Sequence, residues 1–279
     1  MNKKWIAYPY VLWSLIFIVV PLLLIIVFSI TYGNKQNIVD LKPTLTNFMK
    51  FFDPIYIKVL YRSLKLAVLT TIICLILGYP MAFILAGLEP KKQRILSLLF
   101  LLPMWMNFLL RTYAWLTILN REGIINSIIK MMGFEPMNNL LYNSGAVMMG
   151  MVYNFLPFMV LPIYTVLNKM DNNIIEAAQD LGADRLTVFR KIIFPLSLPG
   201  IISGITMVFM PAVSTFVISR LLGGGQYMLI GNLIERQFMK VGDWHFGSAI
   251  SMIMMIIVFI SMAILNKYDK DNDGGNILW

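Results

Sequence analysis

The sequence predicts an all-α integral membrane protein with six transmembrane helices, and three observations carry that prediction. Hydrophobic residues make up 58% of the 279 positions and charged residues 13%, with a mean hydropathy of +0.74. A soluble domain this apolar would expose large patches and aggregate. The apolar residues fall into six runs, Val11–Ile30, Leu66–Leu88, Ile95–Leu119, Ala146–Leu167, Leu198–Leu222 and Gly247–Leu265. Each is about as long as the roughly 20 residues a helix needs to cross the hydrocarbon core. Lys and Arg are denser in the termini and in loops 89–94 and 169–195 than in loops 31–61, 120–144 and 220–246. The positive-inside rule then places both termini and the 169–195 loop in the cytoplasm. One membrane domain, residues 1–279, is expected.

The first run follows Lys3 and Lys4, as a signal peptide would. It is too long for one, and no small-x-small cleavage site precedes Asn34, so a retained span is expected. In the loop that follows, Leu45, Phe48, Phe51 and Phe52 recur at near-helical spacing, which predicts a short interfacial helix interrupted by Pro54. Pro80 in the second run should kink or open its helix. Pro103, Pro157, Pro162, Pro199 and Pro211 repeat the theme. Freed backbone carbonyls inside a bilayer need protein or a wet cavity to satisfy them. Broken helices suit a conduit that moves, although proline is also simply commoner in membrane helices.

Charge within the runs is nearly absent, and none of the six contains Asp or Glu. Arg111 lies midway along the third. A buried guanidinium must be paired or reach water. Two readings stay open for it: a functional role, or structural pairing with Asn107 or a neighbouring carbonyl. The single cysteine, Cys74, excludes an intrachain disulfide or a cysteine-based metal site. His245 is also alone and reads as a hydrogen-bonded loop histidine. No metal site is expected. "LLGGGQ" at 221–226 lacks the Lys-Ser/Thr pair of a phosphate loop and reads as a turn. With one histidine, a membrane protease or zinc enzyme is not expected. The net charge of +9 reflects topology and anionic membrane lipid rather than nucleic acid.

The stretch from 171 to 200, "DNNIIEAAQDLGADRLTVFRKIIFPLSLPG", is helix-patterned and polar between two apolar runs. Asn173 can cap a helix, with Glu176 three residues on as in a capping box. Ala177 and Ala178 offer a face for close approach, and Gly182 can take the left-handed conformation that ends a helix. Asp184 can cap a second helix in which Leu186, Phe189, Ile192 and Ile193 line one side. Arg185, Arg190 and Lys191 lie at headgroup level. Pro195 and Pro199 should end this segment and start the next span. Such a knob could be gripped by a cytoplasmic partner in a helix-in-groove mode, or it could be an ordinary interfacial loop.

These residues resemble the EAA loop of permease subunits in binding-protein-dependent ABC importers, of pattern E-A-A-x3-G-x9-I-x-L-P. Glu176, Ala177, Ala178, Gly182, Ile192 and Pro195 match it, and Phe194 replaces the usual Leu. "SLKLAVLTTIICLILGYPMAFILA" at 63–86 is similar to the second-span signature of such permeases. "LPMWMNFLLRTYAWLTIL" at 102–119 and "LIGNLIERQFMKVGDWHFGSAIS" at 229–251 resemble the permeases of spermidine/putrescine importers.

The resemblance implies a type I ABC importer permease (MetI-like) fold and a transport subunit without enzymatic activity of its own. The implied partners are an ABC ATPase dimer that binds the ATP and Mg, a second homologous permease subunit, and an extracytoplasmic substrate-binding protein. It also implies a polyamine substrate and a bacterial cytoplasmic membrane. Glu176, Ala177, Ala178, Asp180, Leu181, Gly182 and Ala183 would couple to the ATPase, with Arg185, Phe189, Ile192 and Pro195 anchoring the loop. An extended polycation is held by carboxylates and aromatic faces. The candidates for its path are Trp105, Asn107, Tyr113, Trp115, Tyr153, Asn154, Glu235 and Asp243. Lipid-belt or core packing is the alternative for each aromatic. Arg111 would repel a cation and is expected to be paired or turned away. A permease for another small solute, or a secondary transporter driven by an ion gradient, remain as alternatives. The latter usually needs intramembrane carboxylates.

Overall fold

The computed structural model describes residues 8–32 and 42–272. Lys3, Lys4 and Asn34, used above to read the first run, lie outside them. The described chain is almost wholly helical. Its helices are α1 (Tyr8–Ser29), α2 (Thr46–Phe51), α3 (Pro54–Ala86), α4 (Pro90–Trp105), α5 (Phe108–Leu119), α6 (Ile124–Met131), α7 (Ser144–Asn168) and α8 (Asn172–Asp180). They continue as α9 (Arg185–Ser214), α10 (Val217–Leu222), α11 (Ile230–Arg236) and α12 (Trp244–Asn272). Among the described residues five helices are long and apolar enough to span a membrane, and six if the bent α4–α5 pair counts as one.

Several boundaries differ from the sequence expectation, each for a local reason. Pro54 does not interrupt a helix but starts one: α3 runs 33 residues from it. Proline has no N–H to lose at a helix's first position and its φ is preset. Pro80 lies within α3 and does not end it. The third apolar run is two helices: α4 ends at Trp105, Asn107 caps α5 by accepting from the Leu109 N–H at 2.8 Å, and the stretch Phe108–Met131 leaves the axis of α4 at 88°. The fifth run ends its helix at Ser214, and Val217–Leu222 is a separate piece. Pro195 and Pro199 do not divide the polar 171–200 segment from its span, because α9 is continuous from Arg185 to Ser214. A π turn at Phe189–Ile193 precedes Pro195 and leaves room for a ring that would otherwise clash with a carbonyl one turn back.

The chain divides into two compact units. In the larger, residues 62–229 and 260–279, α7 is the central post. Met151, Met159 and Ile163 on it are fully enclosed, and α9 packs along it. A Cβ on Gly204 would stand 2.8 Å from Met159 Sδ, and one on Gly200 would stand 3.0 Å from Ile163 Cα. The two glycines, four apart, form a small-xxx-small face that brings the helices together where lipid supplies no hydrophobic drive. Cys74 is a free thiol buried in this unit.

In the smaller unit, residues 1–61 and 230–259, strands Thr31–Tyr32 and Lys42–Pro43 pair antiparallel. Asn47 Nδ2 donates to Thr31 O at 2.9 Å. Within the short helix Phe51 is buried, whereas Leu45 and Phe52 are exposed, so only part of the expected apolar stripe faces protein. His245 sits in the first turn of α12 rather than in a loop. Its Nδ1 lies 3.2 Å from Phe28 O and 3.3 Å from Thr31 Oγ1.

Candidate functional site

The segment 171–200 folds into a compact device. The cap of α8 is Asp171, two residues earlier than expected: its carboxylate accepts from the Asn173 N–H at 2.9 Å. Asn173 is therefore already helical and Glu176 lies in mid-helix, so no capping box forms there. The C-terminus closes as a Schellman motif. Gly182 N–H donates to Gln179 O at 2.8 Å and Ala183 N–H to Ala178 O at 3.0 Å, with Gly182 at φ +85°. Both bonds satisfy carbonyls that would otherwise be orphaned. Around this turn Glu176, Ala177, Asp180 and Gly182 are exposed and Ala178 and Ala183 half-exposed. Leu181 is 89% exposed, an apolar side chain held out on a rigid tip.

Beyond the turn, Asp184 takes extended cap geometry without closing a side-chain cap hydrogen bond. Interaction with the Thr187 hydroxyl still holds its carboxyl below the ordinary value. A depressed carboxylate contributes stability above its unfolded pKa and loses it as pH falls through the folded one. Asp184→Asn should therefore weaken this helix start equally at every pH from 5 to 8, checked by protease nicking of the loop at several pH values.

The side chains of α9 follow the expected stripe except at Leu186. Leu186 is exposed at 63%, while Val188 at 2% and Ile193 at 9% are the buried ones. Phe189 and Ile192 are half-buried, so three of the four expected positions face protein. Phe189 is the anchor, with its ring centroid 5.9 Å from Tyr79, 5.7 Å from Phe83 and 6.4 Å from Phe194. Tyr79 and Phe83, one turn apart on α3, went unremarked in the sequence. Their aromatic i, i+4 spacing was the available signal. The Tyr79 hydroxyl is 3.1 Å from Ser197 Oγ. A cleft of about 720 Å³ lies beside this cluster, lined by Phe83, Ile175, Gln179, Arg185, Leu186, Val188, Phe189 and Ile193. Ile192 is half-buried, and Pro195 opens the regular α-helix after the π turn.

α8 thus joins through the glycine turn to one unbroken helix, clamped to α3 by aromatic edges. Each such contact contributes about 0.5–1.5 kcal/mol beyond area burial. Phe189→Ala removes three at once. The thermal unfolding midpoint of the purified protein in detergent should fall by several degrees, with the helix content unchanged by circular dichroism.

The expected path residues are not gathered into one constellation. Trp115 and Tyr153 do meet, edge to face at 5.3 Å. Trp105 is 75% exposed at the end of α4, Asn107 is engaged in capping, and Tyr113 is exposed on α5. Asn154 is 1% exposed and donates to Gly150 O at 2.8 Å, leaving Oδ1 unpartnered. Glu235 and Asp243 belong to the smaller unit. Asp243 is engaged there: it pairs with Lys50 at 3.4 Å and caps α12 by accepting from the Phe246 N–H at 3.1 Å. Arg111 is 7% exposed, and its Nε and Nη1 have no hydrogen-bond partner. Of the two open readings for Arg111, pairing with Asn107 is not observed; the Asn107 Oδ1 accepts from the Leu109 N–H instead. Among the described residues no cluster of three His, Cys, Asp or Glu could hold a metal.

Broken apolar helices and an exposed, rigidly capped turn leading into a span define a multi-pass membrane transport component. Residues 75–268 match the family of binding-protein-dependent transport system inner membrane components. The chain belongs to that family and is a permease subunit of an ABC importer rather than an enzyme. It is 38% identical over 253 residues to the spermidine/putrescine transport system permease protein PotB of Escherichia coli K12, covering 90% of this chain and 92% of that one. In fold it is similar to a chain of a bacterial ABC transporter involved in the import of the acidic polysaccharide alginate. The TM-score is 0.80 at 15% identity, covering 97% of this chain and 96% of the other. A chain of the bacterial alginate transporter in complex with an alginate-pentasaccharide-bound periplasmic protein matches at TM-score 0.77 and 15% identity, covering 95% and 94%.

Proposed function

We propose that this chain forms half of the translocation pathway of an ATP-driven polyamine importer. ATP and Mg bind to a separate ATPase dimer. A second homologous permease completes the pathway, and an extracytoplasmic binding protein delivers spermidine or putrescine. Both termini lie in the cytoplasm, as does the α8–α9 turn, which the ATPase grips at Glu176, Ala177, Ala178, Asp180, Leu181, Gly182 and Ala183. The observation that carries the coupling role is the exposed Schellman-capped tip continuous with a helix built into the core. Closure of the ATPase moves the tip, α9 follows as one body, and Phe189 carries α3 with it.

The substrate class is supported by the 38% identity to a spermidine/putrescine permease across nine-tenths of the chain. A periplasmic protein in the related alginate complex supports the kind of delivering partner. The Trp115–Tyr153 pair offers a polarizable aromatic face to a passing ammonium group, a contact of about 0.5–2 kcal/mol. That is weak enough to let the cargo leave. The test is uptake of labelled spermidine and putrescine by cells with and without this chain. Uptake should require the chain and collapse on ATP depletion while an ionophore leaves it intact. Uptake that follows the ion gradient instead, or is confined to another solute, would defeat the proposal.

A further inference from the structure

We propose that the cleft between α8 and α9 binds an anionic phospholipid of the cytoplasmic leaflet, with its phosphate at Arg185 and an acyl chain against Phe83 and Ile193. This rests on the reading that the α8–α9 turn lies in the cytoplasm. The cleft belongs wholly to the larger unit. At about 720 Å³ it is of the size that takes a small amphiphile rather than an ion. Its lining is apolar except for Gln179 and Arg185.

The order of the lining is the order of a lipid molecule. Arg185, Phe189 and Ile193 follow one another along α9 at four-residue intervals, a distance of about 12 Å. Arg185 is exposed at the start of that helix. Facing Phe189 stands Phe83, at 5.7 Å between ring centroids. Phe83 falls inside the second apolar run, Leu66–Leu88. The cleft therefore passes from a cation at headgroup depth to aromatic and aliphatic walls at hydrocarbon depth. Phe83 is 41% exposed and Leu186 63%, apolar surface that acyl carbons would cover.

Charge selects the headgroup. Arg185, Arg190 and Lys191 are exposed and take no part in the ion pairs of the described residues, Lys50–Asp243 and Lys92–Glu89. The adjacent Asp184 carboxylate is engaged by Thr187. A cluster of cations at the membrane surface favours an anionic lipid over a zwitterionic one. α8 closes the other side through Ile175 and Gln179, one turn apart, while Glu176, Ala177 and Asp180 stay exposed. The lipid braces the angle between α8 and α9 and leaves the tip at Leu181 uncovered.

The test mixes the full chain, purified in detergent, with equal amounts of phosphatidylglycerol and phosphatidylcholine of the same acyl chains, and weighs it intact by native mass spectrometry. Phosphatidylglycerol should be retained in preference. Arg185→Gln should reduce that retention about fivefold. Ile175→Trp, which fills the cleft and leaves every cation in place, should reduce it as well. Lys240→Gln, at an exposed cation of the smaller unit, should not. Photoactivatable phosphatidylglycerol should label Ile175, Leu186 or Ile193. Equal retention of the two lipids, retention unchanged in both cleft variants, or label elsewhere alone would overturn the proposal. Displacement by inorganic phosphate would also overturn it, by showing an anion site without a chain. The same labelling of the assembled transporter should persist, and its loss there would assign the cleft to the ATPase instead. Leu181→Cys labelled by an impermeant maleimide from outside intact cells would refute the reading beneath it.

Discussion

Gly182→Pro should abolish uptake while leaving the protein in the membrane at close to wild-type amounts. The residue sits at φ +85°, and proline is held near −65°. Its N–H, which closes the bond to Gln179 O at 2.8 Å, would be gone. The preceding Leu181, now helical in character at φ −75° and ψ 4°, would be pushed toward extended backbone. The direction in which α8 leaves α9 must therefore change. Nothing in the core of either unit depends on this exposed turn, so insertion and folding should survive. Gly182→Ala separates the two ingredients. A Cβ there meets nothing within 4 Å, so its cost is the left-handed backbone alone, about 1–2 kcal/mol, with the hydrogen bonds retained. Uptake should be graded wild type, Ala, Pro, while basal ATP hydrolysis by the complex persists in all three. The measurement is transport and hydrolysis side by side in proteoliposomes. A stably inserted Gly182→Pro variant that transports normally would show that the turn transmits nothing.

Gly204→Leu should act in the opposite way, removing the protein rather than its coupling. The space it would fill holds Met159, whose Sδ and O would lie 2.8 and 3.1 Å from the first added atom. The sulfur can swing aside, but the carbonyl is α7 backbone and cannot. Gly200 presents the same problem against Pro162 O and Ile163 Cα, each at 3.0 Å. Overpacking of this kind costs about 1–3 kcal/mol. Here it also strikes the close packing that stands in for the hydrophobic effect between helices in lipid. Membrane abundance and thermal stability in detergent should both fall sharply, less for Gly204→Ala. Substitution of Met207, 53% exposed on the same helix, by Leu should change neither. Equal stability of Gly204→Leu and wild type would mean that α7 and α9 are not in direct contact.

The spans were legible because a bilayer demands about 20 apolar residues and little else. Helix ends were not, since α3 and α9 extend well past the hydrocarbon with polar residues that hydropathy discards. The break at Met106–Asn107 lies inside a continuous apolar run. Only the short side chain of Asn107, able to cap, distinguishes it, and the nearby Pro103 drew attention instead. Within the coupling segment the glycine turn was readable because a single residue type suits φ above zero. The start of α8 was misplaced by two residues because Asp171 and Asn173 are both good caps, and sequence alone does not choose between them. The inward face of α9 was read correctly at Phe189, Ile192 and Ile193 and missed at its first turn, where Val188 rather than Leu186 is buried. Phe189 was found as an anchor, but its partners on α3 are distant in sequence, and no periodicity links them.

The chain's single sulfhydryl, Cys74, is walled in by the core of the larger unit. A maleimide applied to the folded protein should therefore find no native target, and a thiol placed at Leu181 would carry the label alone. A fluorophore there would report whether the α8 tip moves during ATP hydrolysis, without any prior stripping of the sequence.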